Sequence, residues 1–324
     1  MNRSQLVANH RNTGRRRGIT LIELLVIIAI VGILTALLIS AVMSAREASR
    51  RAECANHLRQ IGLALASYST DIGIYPQGVN GKGYSVHTML LPYFEQTNIY
   101  NQLNFSAICH KSMLPDAVNA TVAQFRVAVF LCPADPLISS RTAQTSYAGN
   151  RGTGVQKYGY NGTFAFERTG PIGYSAFSDG TSTTAAMSEW VRGTQDQARP
   201  DQLHSTFETT ETLADPEQFD RFVSECQSIN PTTASVNRLA KGSSWLRGDF
   251  SFTLYNHSLG INEPTCTNGT AVQIGAWTAG SMHSRGCQTL FVDGHVQFLS
   301  STTSLHVWRS MGSRAGGEVI GNDL

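Results

Sequence analysis

Arg15-Arg16-Arg17-Gly18-Ile19-Thr20-Leu21-Ile22-Glu23-Leu24 opens a stretch that continues, over residues 24–43, as LLVIIAIVGILTALLISAVM with no charged side chain. As a helix rising about 1.5 Å per residue, those residues reach about 30 Å, the thickness of one bilayer core. An ordinary secretory signal has an apolar region of only about 7–15 residues and ends in small residues at its cleavage site. This stretch is longer, and Met43 before Ala45 fits such a site poorly. A twin-arginine signal through Arg15, Arg16 and Arg17 is a second competitor, and the same length and hydrophobicity count against it. Basic residues ahead of the span predict a cytoplasmic N-terminus and an exported bulk, a single-pass inner-membrane topology with the main domain periplasmic or at the cell surface. Glu23, just inside the apolar stretch, costs several kcal/mol unless paired or neutralised, which marks it as functional.

Helical spacing persists beyond the span. Ala45, Ala48, Ala52, Ala55, Leu58, Ile61, Leu65 and Tyr68 recur every three or four residues, with Arg46, Glu47, Arg50, Arg51 and Arg59 off that stripe. Glu47 and Arg51 stand at i,i+4 in the favourable order, and Asp71, Gly73 and Pro76 end the run. One helix over residues 19–73 follows, its membrane part at about 24–43 and its second half packed on a globular domain.

Residues 74–324 read as short strands broken by turns, with a more polar insertion at about 192–245 that is helical near PEQFDRFVSEC, residues 216–226. Two apolar runs flank Asp293-Gly294, which predicts a two-residue type I′ hairpin with Val292 opposite His295 and Phe291 opposite Val296. Asp179-Gly180-Thr181-Ser182 reads as a loop feeding a strand. The expected class is α+β, a long N-terminal helix packed on an antiparallel β-rich domain. The formal charge of +2 is misleading, because five Arg and no acid lie in residues 1–18; the remainder carries 20 basic and 23 acidic residues. No Lys/Arg cluster follows Arg59, so a nucleic-acid partner is not expected. Six scattered cysteines contain no Cys-x-x-Cys pair.

The segment from Arg15 to Leu24 resembles the processing site of type IV prepilins and type II secretion pseudopilins. The resemblance implies cleavage of the 1–18 leader after Gly18 by a prepilin peptidase/N-methyltransferase, and N-methylation of Ile19. It also implies pairing of Glu23 with the terminal amine of a neighbouring pilin-like subunit at an inner-membrane assembly platform. His283, nine residues and Asp293-Gly294 resemble the His-x9-Asp-Gly pattern of a large bacterial family of uncharacterised, prepilin-processed proteins. The blocks at residues 54–65, 130–136, 145–150 and 179–182 are similar to that family too; Thr183 departs from its usual Ser-Asn. Cys54 and Cys132 lie in two of these blocks, so the resemblance implies a disulfide between them, and Cys226 with Cys266 is a second pairing.

The family supplies architecture rather than an activity. An enzyme would recruit His283, Asp293 and His295, with His257, as a metal or acid–base cluster, yet no Gly-x-Ser-x-Gly or His-Glu-x-x-His motif accompanies them. The expectation is a non-enzymatic assembly subunit of a type IV pilus or type II secretion pseudopilus. The alternatives are an anchored extracytoplasmic binding module that uses pilin-type processing for export, and a cell-envelope enzyme. No cofactor is expected beyond calcium, for which Asp135 and Asp179 in oxygen-rich loops are the candidate ligands.

Overall fold

The computed structural model describes residues 20–109, 117–135, 144–154, 161–164, 170–194, 200–210, 218–237, 239, 241–268 and 275–318. The chain divides into two compact units, Met1–Ala48 and Ser49–Leu324.

Helix α1, Leu21–Ile72, runs through both units. In the first, its apolar side chains are exposed around the whole circumference, from Leu21 and Ile22 to Val42 and Met43. A helix apolar on every side has no water-facing surface, and this is the one described helix long and apolar enough to cross a membrane. In the second unit the helix buries one face through Cys54, Ala55, Leu58, Ile61, Gly62, Ala64, Leu65 and Ser69. The apolar stripe therefore starts to be covered at Ala55, and Ala45, Ala48 and Ala52 stay exposed. Gly73 ends the helix with φ 81°, its N–H donating to Ser69 O at 2.9 Å. Glycine takes that left-handed cap without the strain a Cβ would add.

The β-rich part is built from β1 (Tyr147–Asn150), β2 (Ala185–Glu189), β3 (Thr206–Glu208), β4 (Val236–Asn237), β5 (Leu254–Tyr255), β6 (Thr265–Thr267), β7 (Gly275–Ala276), β8 (Gly286–Phe291) and β9 (Val296–Ser300). Of the short helices, α2 (Val86–Leu90) and α3 (Thr97–Tyr100) precede β1, α4 (Phe219–Gln227) lies between β3 and β4, and α5 (Leu305–Gly312) follows β9. One sheet has the order β5-β1-β2-β8-β9 and a second the order β4-β3-β6-β7. The expected α+β class is present, but the sheets are mixed rather than antiparallel, because β1 pairs parallel with β5 and β3 parallel with β6. Parallel neighbours need long crossovers and leave no hairpin mark in the sequence.

Both faces of the larger sheet are covered. Tyr147, Met187 and Leu290 join the core cluster that contains Leu58, Ile61 and Leu65 of α1. Ala148, Cys287, Phe291 and Leu299 join Val307, Trp308 and Met311 of α5. Alternation along β8 sends Leu290 to one core and Cys287 and Phe291 to the other, which is why the whole strand is buried. The second sheet shares a smaller core with α4, through Phe207, Phe222, Val223 and Ala276.

The β8–β9 hairpin differs from the expected register by one residue. Leu290 faces Val296, Phe291 N–H donates to His295 O at 2.9 Å, and Gly294 N–H donates to Phe291 O at 2.9 Å. Gly294 has φ 93°, whereas Asp293 has a negative φ. A type I′ turn needs both positive, so the connection is the three-residue form, a turn followed by a left-handed glycine. The longer loop lets Val292 and Asp293 N–H donate to Thr184 O and Thr181 O, at 3.0 and 3.1 Å.

Candidate functional site

At the start of α1, Thr20 and Glu23 form a reciprocal cap. Thr20 N–H and Oγ1 donate to Glu23 Oε2 at 2.8 and 2.9 Å, and Glu23 N–H donates to Thr20 Oγ1 at 3.3 Å. This is the Thr-x-x-Glu capping box, legible in Thr20-Leu21-Ile22-Glu23 by spacing alone. It holds the Glu23 carboxylate at the helix N-terminus, where the exposed amide dipoles favour negative charge. Gly18 and Ile19, the expected processing residues, lie outside the described residues.

A second constellation lies inside the β-rich unit. Cys54 on α1 is disulfide-bonded to Cys132, which follows the helical turn Ala128–Phe130. Beside the sulfurs stand Glu189, the last residue of β2, and His283, three residues before β8. Cys132 Sγ is 3.7 Å from His283 Nε2, which is 3.5 Å from Glu189 Oε1. All four are buried, with exposures of 0% for Cys54, 4% for Cys132, 1% for Glu189 and 2% for His283. Among the described residues they are the one group of His, Cys, Asp or Glu side chains whose donor atoms converge, all within 4.8 Å of one another.

The surroundings fix each member. Glu189 Oε2 accepts from Gln288 N–H of β8 at 2.7 Å, while Oε1 accepts no hydrogen bond. Gly280 N–H donates to Glu189 O, and Ser281 Oγ accepts from His283 N–H at 3.0 Å while donating to Gly286 O at 2.8 Å. Tyr147 OH donates to Cys54 O at 3.3 Å; burial first, then the nearby Glu189 charge, pushes that phenol well above its ordinary range. The tyrosine is thus a neutral donor that ties α1 to β1.

The four residues that an enzyme reading would recruit do not come together as one group among the described residues. His283 and Asp293 stand beyond opposite ends of the six-residue β8, a separation on the order of 20 Å, so the nine intervening residues are essentially one strand and its approach. Asp293 Oδ1 meets His295 Nδ1 at 2.6 Å at the hairpin turn, and the His295 ring stacks on Phe291 with centroids 4.3 Å apart. Asp293 is therefore a turn residue, and Gly294 is required by its backbone angle. His257 belongs to the α5 side, where its ring nitrogens meet Trp308 O at 2.6 Å and Tyr255 OH at 2.9 Å. Complete burial pushes its pKa down to about 3, so it is neutral in the folded chain.

The two calcium candidates have protein partners. Asp179 accepts from Gly316 and Gly317 N–H at 2.6 and 3.0 Å, fastening the chain beyond α5. Asp135 Oδ2 accepts from Arg192 Nε at 2.8 Å, Arg192 N at 3.0 Å and Ser146 Oγ at 3.1 Å, a buried ion pair. Neither belongs to the convergent group. Cys226 of α4 is disulfide-bonded to Cys266 of β6. Glu189 is the residue that sequence reading passed over. Its one signal is an acid at the end of the otherwise uncharged run Thr184-Ala185-Ala186-Met187-Ser188, followed by Trp190.

Comparison with known proteins places these features. A prokaryotic N-terminal methylation motif matches residues 13–39, the segment that holds Gly18, Ile19 and Glu23. No curated protein and no solved structure matches the chain. A family described as a protein of unknown function (DUF1559) matches residues 43–306, which takes in the second half of α1, both sheets and all four members of the buried constellation; the chain belongs to that family.

Proposed function

We propose that the protein is a pilin-like assembly subunit rather than an enzyme: it is cut after Gly18, methylated on Ile19, and enters a type IV pilus or type II secretion pseudopilus by packing α1 against the equivalent helices of other subunits. The observation that carries this reading is the first unit of α1, whose apolar side chains, most of them inside the methylation motif at residues 13–39, are exposed on every side. Such a surface suits a bilayer before assembly and a bundle of like helices after it. Glu23 adds directionality. Its capping bonds come from its own Thr20, so an incoming N-terminal amine could take over a carboxylate already held at the helix end. Two opposite charges buried among apolar helices neutralise each other, and a subunit docked out of register leaves both unpaired. The basic leader keeps the N-terminus cytoplasmic and sends the β-rich unit outside.

Glu23→Val in the full chain tests this. Membrane insertion and cleavage should persist while co-assembly, read by cross-linking of membrane-embedded subunits to neighbouring pilins, falls at least tenfold. Undiminished cross-linking would overturn the assembly role. N-terminal sequencing of the mature chain should begin at Ile19; a chain still beginning at Met1 would overturn the processing.

A further inference from the structure

We infer that Cys54, Cys132, Glu189 and His283 form a zinc site when the two cysteines are reduced, so that a disulfide and a divalent cation are alternative closures of the same buried position. The donor set is two thiolates, one imidazole and one carboxylate. Those are the ligand types that suit a borderline-soft cation in tetrahedral coordination. Their donor atoms already fall within 4.8 Å of one another, with Cys132 Sγ 3.7 Å from His283 Nε2. Zinc bonds of about 2.0–2.3 Å put neighbouring ligand atoms between about 3.3 and 3.8 Å apart. Tetrahedral coordination would require the sulfurs to part and the farthest donors to move inward by about 1 Å.

An independent observation points at the same position. Glu189 is 1% exposed, and its Oε1 accepts no hydrogen bond although it faces His283 Nε2 at 3.5 Å. An ion-pair contact at 3.5 Å with no hydrogen bond leaves this buried oxygen under-satisfied, and a metal ion would satisfy it. Its other oxygen is held by Gln288 N–H at 2.7 Å, the kind of outer contact that orients a ligating carboxylate. Reduction of the disulfide to two thiols takes two electrons and two protons from an external reductant such as a phosphine or dithiol. From there metal binding involves no redox change, two thiols and one Zn²⁺ giving two Zn–S bonds and two released protons. In the disulfide form the sulfurs have no thiolate to offer, and binding is lost.

The test uses the full chain in detergent, reduced with a phosphine, freed of phosphine and titrated with Zn²⁺ or Co²⁺ without oxygen. One equivalent should bind with release of two protons, and Co²⁺ should give the thiolate charge-transfer bands of a tetrahedral site. Zn²⁺ should also protect Cys54 and Cys132 of the wild-type chain from alkylation, a readout that requires no variant. Even outer partners of a metal are worth about 10–100-fold in affinity, so His283→Ala and Glu189→Gln should weaken binding by more than tenfold. Cys226→Ser with Cys266→Ser should leave it unchanged. Absence of stoichiometric binding by the reduced chain, equal binding by the disulfide form, or alkylation of Cys54 and Cys132 at the same rate with and without Zn²⁺ would overturn the inference.

Discussion

The two stretches of α1 belong to one continuous helix and treat their apolar side chains in opposite ways. Before Ala48 the side chains are exposed on every side; after it, one face is buried and the other carries Arg59, Asn56 and Gln60. Continuous hydropathy and a three-to-four-residue stripe are therefore different instructions. The first has no polar face to give to water and calls for lipid or like helices, while the second specifies one partner surface. Leu58 is the sharpest test of that contrast, since it is fully buried against the domain core. Leu58→Ala in the full chain should lower the unfolding free energy of the β-rich unit by about 2–5 kcal/mol. Leu34→Ala, in the exposed stretch, should change it by less than about 0.5 kcal/mol. Denaturant titration of the detergent-solubilised variants checks both, and equal losses would mean that the two stretches are not energetically separate.

The disulfides sharpen the same comparison, because each ties a helix to the β-rich unit while the exposed stretch of α1 has no cysteine. Cys54–Cys132 spans 78 residues and Cys226–Cys266 spans 40. Replacing the first pair by serine should cost about 2–4 kcal/mol, and chain entropy makes that loss larger than for the second pair by about 0.6 kcal/mol. Thermal unfolding of the two double variants under oxidising conditions gives the order. The reverse order would show that local packing of the sulfurs outweighs the constraint on the unfolded chain.

What the sequence disclosed follows the range of the interaction involved. α1 was legible along its length, because hydropathy, stripe and the Asp71-Gly73-Pro76 stop are all local. The β8–β9 hairpin was legible in place but not in register, since Asp293-Gly294 fits a two-residue turn as well as the observed loop, and the bonds from Val292 and Asp293 to Thr184 and Thr181 that select the longer one are remote. The parallel pairings of β1 with β5 and β3 with β6 were not legible, having no local mark. The site shows the same limit. Cys54, Cys132 and His283 each stood out separately, but their meeting is a property of the folded sheet, and Glu189 joins them only because β2 ends beside the start of β8. The Thr20–Glu23 cap, by contrast, is local and follows from the Thr-x-x-Glu spacing.

The smallest of these effects compares two glycines of the one helix. An added Cβ at Gly32 meets nothing within 4 Å, whereas at Gly62 it would stand 2.8 Å from Leu290 Cδ1. Leu290 is fully buried on β8, so its methyl has little room to withdraw. Gly62→Ala gains about 1 kcal/mol of helix propensity and loses about 1–3 kcal/mol to overpacking, leaving a net destabilisation of about 1 kcal/mol. Gly32→Ala has only the propensity gain and no clash to set against it, so unfolding of the β-rich unit should be unchanged. Leu290→Val removes the methyl that Gly62→Ala would strike. Combined, the two substitutions should cost less than their separate losses added together, by about 1 kcal/mol, as expected for residues in contact. Strict additivity would mean that α1 does not approach β8 at Gly62, and that the glycine is there for another reason.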